Sequence, residues 1–239
     1  MVPIKAALMQ PYFFPYLGYF QLIEAVDQFI VYDDVQYMKG GWINRNRILM
    51  ENKPVWISLP VPPDSVSSEI RERRLSGREY EKSRIKILGQ LHAAYRKAPN
   101  YTETRQLVEN ILAYDETCLS QYLFNSLQKI SQHLGIKTPL VLSSTLQKND
   151  SALSGVDRVI AICKSVSATT YINSIGGREL YRADEFAAEK IKLQFIKMAP
   201  VHYQQGSENF VPYLSIIDVM MFNDLDAIRQ HLQQYTLEA

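Results

Sequence analysis

Four polar clusters in this 239-residue chain combine residue types and spacings suited to chemistry. The first is MQPYFFPYLGYFQLI (9–23), which holds six aromatic residues, two prolines and one glycine. Pro11 and Pro15 bias the residues before them away from the α region, so residues 10–16 turn irregularly and helix begins at Leu17. Phe13 and Phe14 sit in that irregular part beside Tyr12 and Tyr16, whose flat faces suit a sugar or a base. Gln10 and Tyr19 add polar tips, and Gly18 lets a ligand come close to the helix start. Leu17, Phe20 and Ile23 share one helical face and read as core. The competing reading is a hydrophobic plug that packs the loop onto a sheet.

The second cluster, VYDDVQYMKGGWINRNRI (31–48), ends an apolar run with Asp33 and Asp34 and continues through Gln36, Lys39, Asn44, Arg45 and Asn46. Adjacent carboxylates on a strand face opposite ways, so one of them is free to pair with Arg45 or Arg47. Planar amides and guanidinium forks are rigid hydrogen-bonding groups, which suits a polyol or a phosphate. The third, YINSIGGRELY (171–181), runs from an apolar stretch into a glycine turn before a helical pattern. Tyr171, Asn173, Gly176 and Gly177 are candidate ligand contacts there, with an anion held by backbone N–H groups, although the spacing matches neither a P-loop nor a dinucleotide fingerprint. In the fourth, HYQQGSENFVPYLSIIDVMMFN (202–223), Ser215 and Asp218 have the spacing of a helix capping pair, while Tyr203, Gln204 and Asn223 are binding candidates.

Among the four histidines, His133 and His231 read as surface residues of helices. His92 and His202 are the histidines that could serve as acid or base. Asp33, His92 and Lys39 are the candidates for catalytic duty. No Gly-x-Ser-x-Gly nucleophile elbow is present, and neither Cys118 nor Cys163 has metal-ligand spacing. The 26 Lys and Arg residues nearly cancel 25 Asp and Glu, so bulk charge does not call for nucleic acid. Two cysteines suit reduced thiols, the opening MVPIKAALMQ lacks a signal-peptide apolar run, and no run of about eighteen apolar residues occurs; the expectation is a cytoplasmic protein without a transmembrane segment. The oligomeric state is not legible.

The elements that must position these clusters follow from apolar patterning. Short runs rich in β-branched and aromatic residues at 4–9, 28–34, 55–61, 140–144, 169–173 and 192–198 read as strands. Helical patterns cover 17–26, 79–97, 103–114, 116–134, 155–167, 179–189 and 216–234, with Gly135 closing the fourth. Strands alternating with helices predict one α/β domain over 1–239, a mainly parallel, Rossmann-like sheet with flanking helices. The segment 62–134 breaks the alternation and reads as a polar loop followed by a helical insertion or cap. Arg71, Arg73, Arg74 and Arg78 within it read as a solvated charged face rather than a phosphate site. In open sheets of this class ligands bind at the carboxyl edge of the strands, where the first three clusters are expected.

The runs MQPYFFPYLGYFQLI, DDVQY.K, NRNRI, YINSIGGRELY and F.P.LSIIDVMMFN resemble the WbqC-like protein family from Gln10 to Asn223. The resemblance implies a role in O-antigen and other bacterial surface-polysaccharide biosynthesis. It further implies acyl or aminoacyl (glycyl) transfer to the amino group of a nucleotide-linked amino sugar. Family members often carry His before the Gln-Pro; here that residue is Met9, so no histidine acts at that position. A second likeness, to the nucleotidylyltransferase-type fold, puts Tyr16 and Tyr19 where that fold has its His-x-Gly-His histidines. It suggests an ATP- and Mg²⁺-dependent ligase or nucleotidyltransferase as an alternative, although a tyrosine supplies no imidazolium charge to a leaving phosphate. A non-catalytic sugar-nucleotide-binding subunit is the remaining alternative. Otherwise nothing in the sequence demands a cofactor.

Overall fold

The computed structural model describes residues 3–75, 77–147, 153–206 and 209–239. In chain order it contains β1 (Lys5–Met9), α1 (Leu17–Glu24), β2 (Gln28–Val31), β3 (Arg45–Met50), β4 (Lys53–Ser58), α2 (Gly77–Tyr95), α3 (Tyr101–Leu112) and α4 (Leu119–Leu134). There follow β5 (Leu140–Leu142), α5 (Gly155–Ser165), β6 (Thr170–Ser174), α6 (Ala183–Ala188), β7 (Lys192–Met198), α7 (Ile216–Phe222), α8 (Leu225–Leu232) and β8 (Tyr235–Glu238). Six strands form one sheet in the order β5-β2-β1-β6-β7-β8, parallel except for β8, which runs against β7. The expected α/β class with a mainly parallel sheet is therefore correct.

Helices cover both faces, which is why the strands read as continuous apolar runs. Successive strand residues alternate between two cores. Ala7, Phe29, Val31 and Ile172 join the larger core, which continues through α1, α2, α3, α4, α7 and α8. Ala6, Leu8, Ile30, Tyr171 and Leu193 join the smaller one, with Val159 and Ile162 of α5 and Phe186 of α6. The chain lays strands outward on one side, β1 to β2 to β5, and then returns to place β6 and β7 on the other. The order reverses between β1 and β6, so a crevice opens where Met9 and Ser174 end those two strands.

The excursion between β2 and β5 departs from expectation. Strand 55–61 belongs not to the main sheet but to a separate β3–β4 hairpin. Its two-residue turn, Glu51-Asn52, has φ of 51° and 60°, the left-handed pair of a type I′ turn. The polar run around Arg45 is thus a strand, with Asn46 and Ile48 facing in and Arg45 and Arg47 less buried. Strand 28–34 stops at Val31, and the single helix expected over 216–234 is two, because the Asp224 side chain accepts from Ala227 N (2.8 Å) and starts α8 afresh. Gly135 does end α4, with φ of 79°. No described helix is long and apolar enough to cross a membrane.

Candidate functional site

The irregular loop 10–16 is where the hairpin and the start of α7 meet the sheet. Phe13 and Phe14 are fully buried and pack edge to face, 4.6 Å between centroids, so part of the loop is indeed a plug. Its backbone is held from three sides. Phe13 N donates to Trp42 O (3.0 Å), and the buried Asn46 Nδ2 donates to both Phe13 O (3.1 Å) and Phe14 O (2.8 Å). Ser215 Oγ donates to Phe14 O (2.8 Å) while accepting from Ile217 N (3.2 Å) to cap α7, and Ile216 N donates to Pro15 O (2.8 Å). These bonds hold Phe14 at φ 42°, a left-handed conformation costly for a bulky residue.

The other half of the loop is wall. Tyr12 and Tyr16, with Gly18, Trp42, Arg47 and Ser174, line a cavity of about 310 Å³ at the β1–β6 reversal point. Tyr19 lies behind Tyr12 (5.5 Å) and donates to Gln10 O (2.9 Å). Burial raises the hydroxyl pKa of Tyr12, Tyr16 and Tyr19, so all three remain neutral donors and acceptors. A Cβ built on Gly18 would lie 2.4 Å from Tyr16 Cε2: the Tyr16 ring lies across the first turn of α1 and needs glycine beneath it.

Among the described residues, Arg47 is the one charged residue lining this cavity. Its guanidinium rests near Trp42 (5.4 Å) and Trp56 (5.9 Å), and no described residue gives it a hydrogen bond or a carboxylate; its buried Nε has no partner. A cation held on aromatic rings with no counter-ion is suited to an incoming anion.

A second cavity, of about 390 Å³, lies past the end of β7 and shares Tyr16 and Tyr213 with the first. The two rings meet edge to face at 6.2 Å, and Tyr213 sits at φ 58°. His202, Tyr203 and Phe210 line the new chamber. Behind Tyr203 lies the fully buried Asp218, which accepts from Tyr203 OH (2.7 Å), Tyr95 OH (2.7 Å) and Gln205 Nε2 (3.0 Å). Desolvation raises the Asp218 carboxyl above its ordinary range, and the three donors only partly offset it. Tyr95 OH also accepts from Leu49 N (2.9 Å), so the network ties α2, α7 and β3 together behind this wall.

The structure brings together Tyr12, Tyr16, Gly18, Tyr19 and Asn46 from the sequence candidates, with Gln10 beside them and Tyr203 in the adjoining chamber. Others lie elsewhere. Asp33 is buried and accepts from Ser143 Oγ (3.1 Å), Ser144 N (3.0 Å) and Ser144 Oγ (2.7 Å); Asp34 accepts from Ser143 Oγ and pairs with Arg158 (3.1 Å). Both carboxylates thus fasten the end of β2 to the end of β5. His92 is exposed on α2 against Tyr101 OH (3.0 Å), and Gln204 is exposed while its neighbour Gln205 makes the buried contacts. Tyr171 stacks on Phe186 (5.3 Å) in the smaller core. Residues 175–180 form a 3-10 turn rather than an α-helix start, with Gly177 close under Asn173, and Asn223 closes α7 by bonding Val219 O (2.8 Å). Gln36, Lys39, Asn44 and Arg45 line a third cavity beside the hairpin. Arg73, expected in solvent, is buried against Tyr37 (4.6 Å).

Sequence patterning gave Arg47 a pairing role and Asp218 a capping one, placed Ser174 in the third cluster without a role, and passed over Trp42 and Tyr213. Their common signal is proximity to the loop 10–16, which is a tertiary fact. Among the described residues no group of three or more His, Cys, Asp or Glu is placed to hold a metal ion.

A family model described as the WbqC-like protein family matches residues 10–230. The uncharacterized protein Rv1507c of Mycobacterium tuberculosis is 31% identical over 222 residues, which is 92% of this chain and 93% of that protein. No solved structure matches the chain.

Proposed function

The chain belongs to the WbqC-like protein family, and from that premise we propose that it is a surface-polysaccharide biosynthesis enzyme that acylates or aminoacylates the amino group of a nucleotide-linked amino sugar. The observation that carries the reading is the pair of cavities divided by Tyr16 and Tyr213. A group transfer needs two substrates whose reacting atoms meet at one boundary. In the β1–β6 chamber, Arg47 takes the phosphate and the tyrosine faces take the sugar or base. The donor enters the chamber past β7. His202 is the histidine that lines either chamber, and we assign it the proton that the amine must lose. The amine attacks the donor's carbonyl carbon, a C–N bond forms, the bond to the donor's leaving group breaks, and the amine proton passes to the imidazole.

The ATP-dependent alternative has less support. The phosphates of ATP would need the N-terminus of α1, where the Tyr16 ring already lies. A purely binding role leaves the second chamber without a purpose. The deciding test incubates the protein with nucleotide-linked amino sugars and thioester or aminoacyl donors, then weighs the products by mass spectrometry. A mass gain on the sugar amine without release of AMP supports direct transfer; AMP formed in step with product makes the enzyme a ligase; a bound but unaltered sugar nucleotide with every donor class overturns the assignment.

A further inference from the structure

The third cavity, of about 750 Å³, lies between the β3–β4 hairpin and the irregular segment 61–66. It has no described lining residue in common with either chamber of the proposed transfer site. Among the described residues three cations line it, Lys39, Arg45 and Arg73, against one carboxylate, Asp64.

Each cation is held differently. Arg73 is 6% exposed, lies on the Tyr37 ring and donates to Pro62 O (3.2 Å); Asp64 is 3.7 Å away, and the Arg73 Nε has no partner among the described residues. Arg45 rests on Trp56 (4.3 Å) and donates to Gly40 O and Gly41 O (3.2 Å), which fixes its fork before any ligand arrives. Lys39 is exposed and has no hydrogen bond or ion pair among the described residues. Between them, Gln36 Nε2 donates to Val66 O (2.8 Å) and Asn44 Nδ2 to Leu59 O (2.8 Å). Those bonds set the walls and leave the two amide oxygens as acceptors. Two held arginines, one exposed lysine and unspent acceptors together fit a ligand carrying both a phosphate and hydroxyl groups.

We infer that this hairpin cavity is a second binding site, for a phosphate ester of a sugar or other polyol. Its ligand is distinct from the one held at Arg47: the two cavities have no described lining residue in common, and the tilted pair Trp42 and Trp56 (5.5 Å) lies beside the two arginines, which are roughly 6.6 Å apart on β3. The inference stands whether or not the protein is a transferase.

The test is calorimetric titration with a hexose 1-phosphate, using the same unphosphorylated hexose and sodium chloride of matched ionic strength as controls. Wild-type protein and Arg47→Ala should both bind the hexose phosphate saturably, and Lys39→Glu should bind it about tenfold more weakly or worse. Arg45→Ala should also weaken binding, but it frees the Gly40–Gly41 loop, so Lys39→Glu, at an exposed and unpartnered side chain, is the deciding variant. The inference is overturned by an absence of saturable heat, by equal affinity in Lys39→Glu, by binding that disappears only in Arg47→Ala, or by an equal response to the bare hexose or to salt.

Discussion

Asn46 carries the most weight for its size. Its buried amide reaches two consecutive carbonyls, Phe13 O and Phe14 O, and so holds the loop that walls the β1–β6 cavity. Asn46→Ala removes both bonds, and with them the one that Asn46 Oδ1 accepts from Arg47 N (2.8 Å). Phe14 O keeps Ser215 Oγ, whereas the Asn46 bond is the side-chain contact of Phe13 O. At about 1 kcal/mol for each of the three lost bonds, with a further cost for a buried carbonyl left short of a donor, the loss comes to roughly 3–4 kcal/mol. For a domain of this size that corresponds to a fall in Tm of about 6–16 °C. Asn46→Asp keeps the shape but points a carboxylate oxygen at two carbonyls, so it should be worse than alanine at neutral pH. Its carboxyl would be pushed up by burial and by the facing oxygens, so the folded form takes the proton more readily than the unfolded one. The deficit should therefore shrink as pH falls toward 4. Urea unfolding at several pH values measures both variants. A loss under about 0.5 kcal/mol for Asn46→Ala, or an aspartate variant whose deficit does not change with pH, would refute the idea that this amide holds the loop.

Gly18→Ala sets helix preference, worth up to about 1 kcal/mol in favour of alanine, against a Cβ 2.4 Å from the Tyr16 ring. The ring should yield, leaving stability within about 2 kcal/mol of wild type while ligand affinity in the β1–β6 cavity falls; unchanged affinity would mean that Tyr16 is not part of the wall. Asp218, raised by desolvation, binds a proton more readily folded than unfolded. Its contribution is thus fully present below the unfolded aspartate value, near 4, and is lost as pH climbs through the folded value. The unfolding free energy of wild type minus that of Asp218→Asn should fall with rising pH above 4, and a flat or rising difference in denaturant titrations would contradict the assigned shift.

What was legible in the sequence and what was not follow from one physical divide. Strands of a parallel sheet covered on both faces must be apolar throughout, so β1, β2, β6 and β7 were visible from composition alone. β3 was not: it alternates Arg45, Asn46 and Arg47, and its inward polar residue is satisfied by loop carbonyls far off in sequence. The break at Asn223-Asp224 had a signal, an aspartate three residues before Ala227, but the mostly apolar pattern of α7 outweighed it. At the site, the aromatic loop and its glycine were readable because proline, glycine and tyrosine each restrict the local backbone or surface. Asp33 and Asp34 drew notice because two adjacent carboxylates look poised for chemistry, and only the fold shows Ser143 and Ser144 engaging them. Arg47 went the other way, since a cation is recognised as unpaired only when its surroundings are known.

The central claim is that Arg47 in the β1–β6 cavity recognises the phosphate of a nucleotide-linked amino sugar. Calorimetric titration of that ligand into wild-type protein and into folded Arg47→Ala tests it most directly. Losing one charge-assisted contact, about 1.5–3 kcal/mol, predicts an affinity lower by roughly 10- to 150-fold. Equal affinity in the two proteins, with each shown to be folded, would contradict the account.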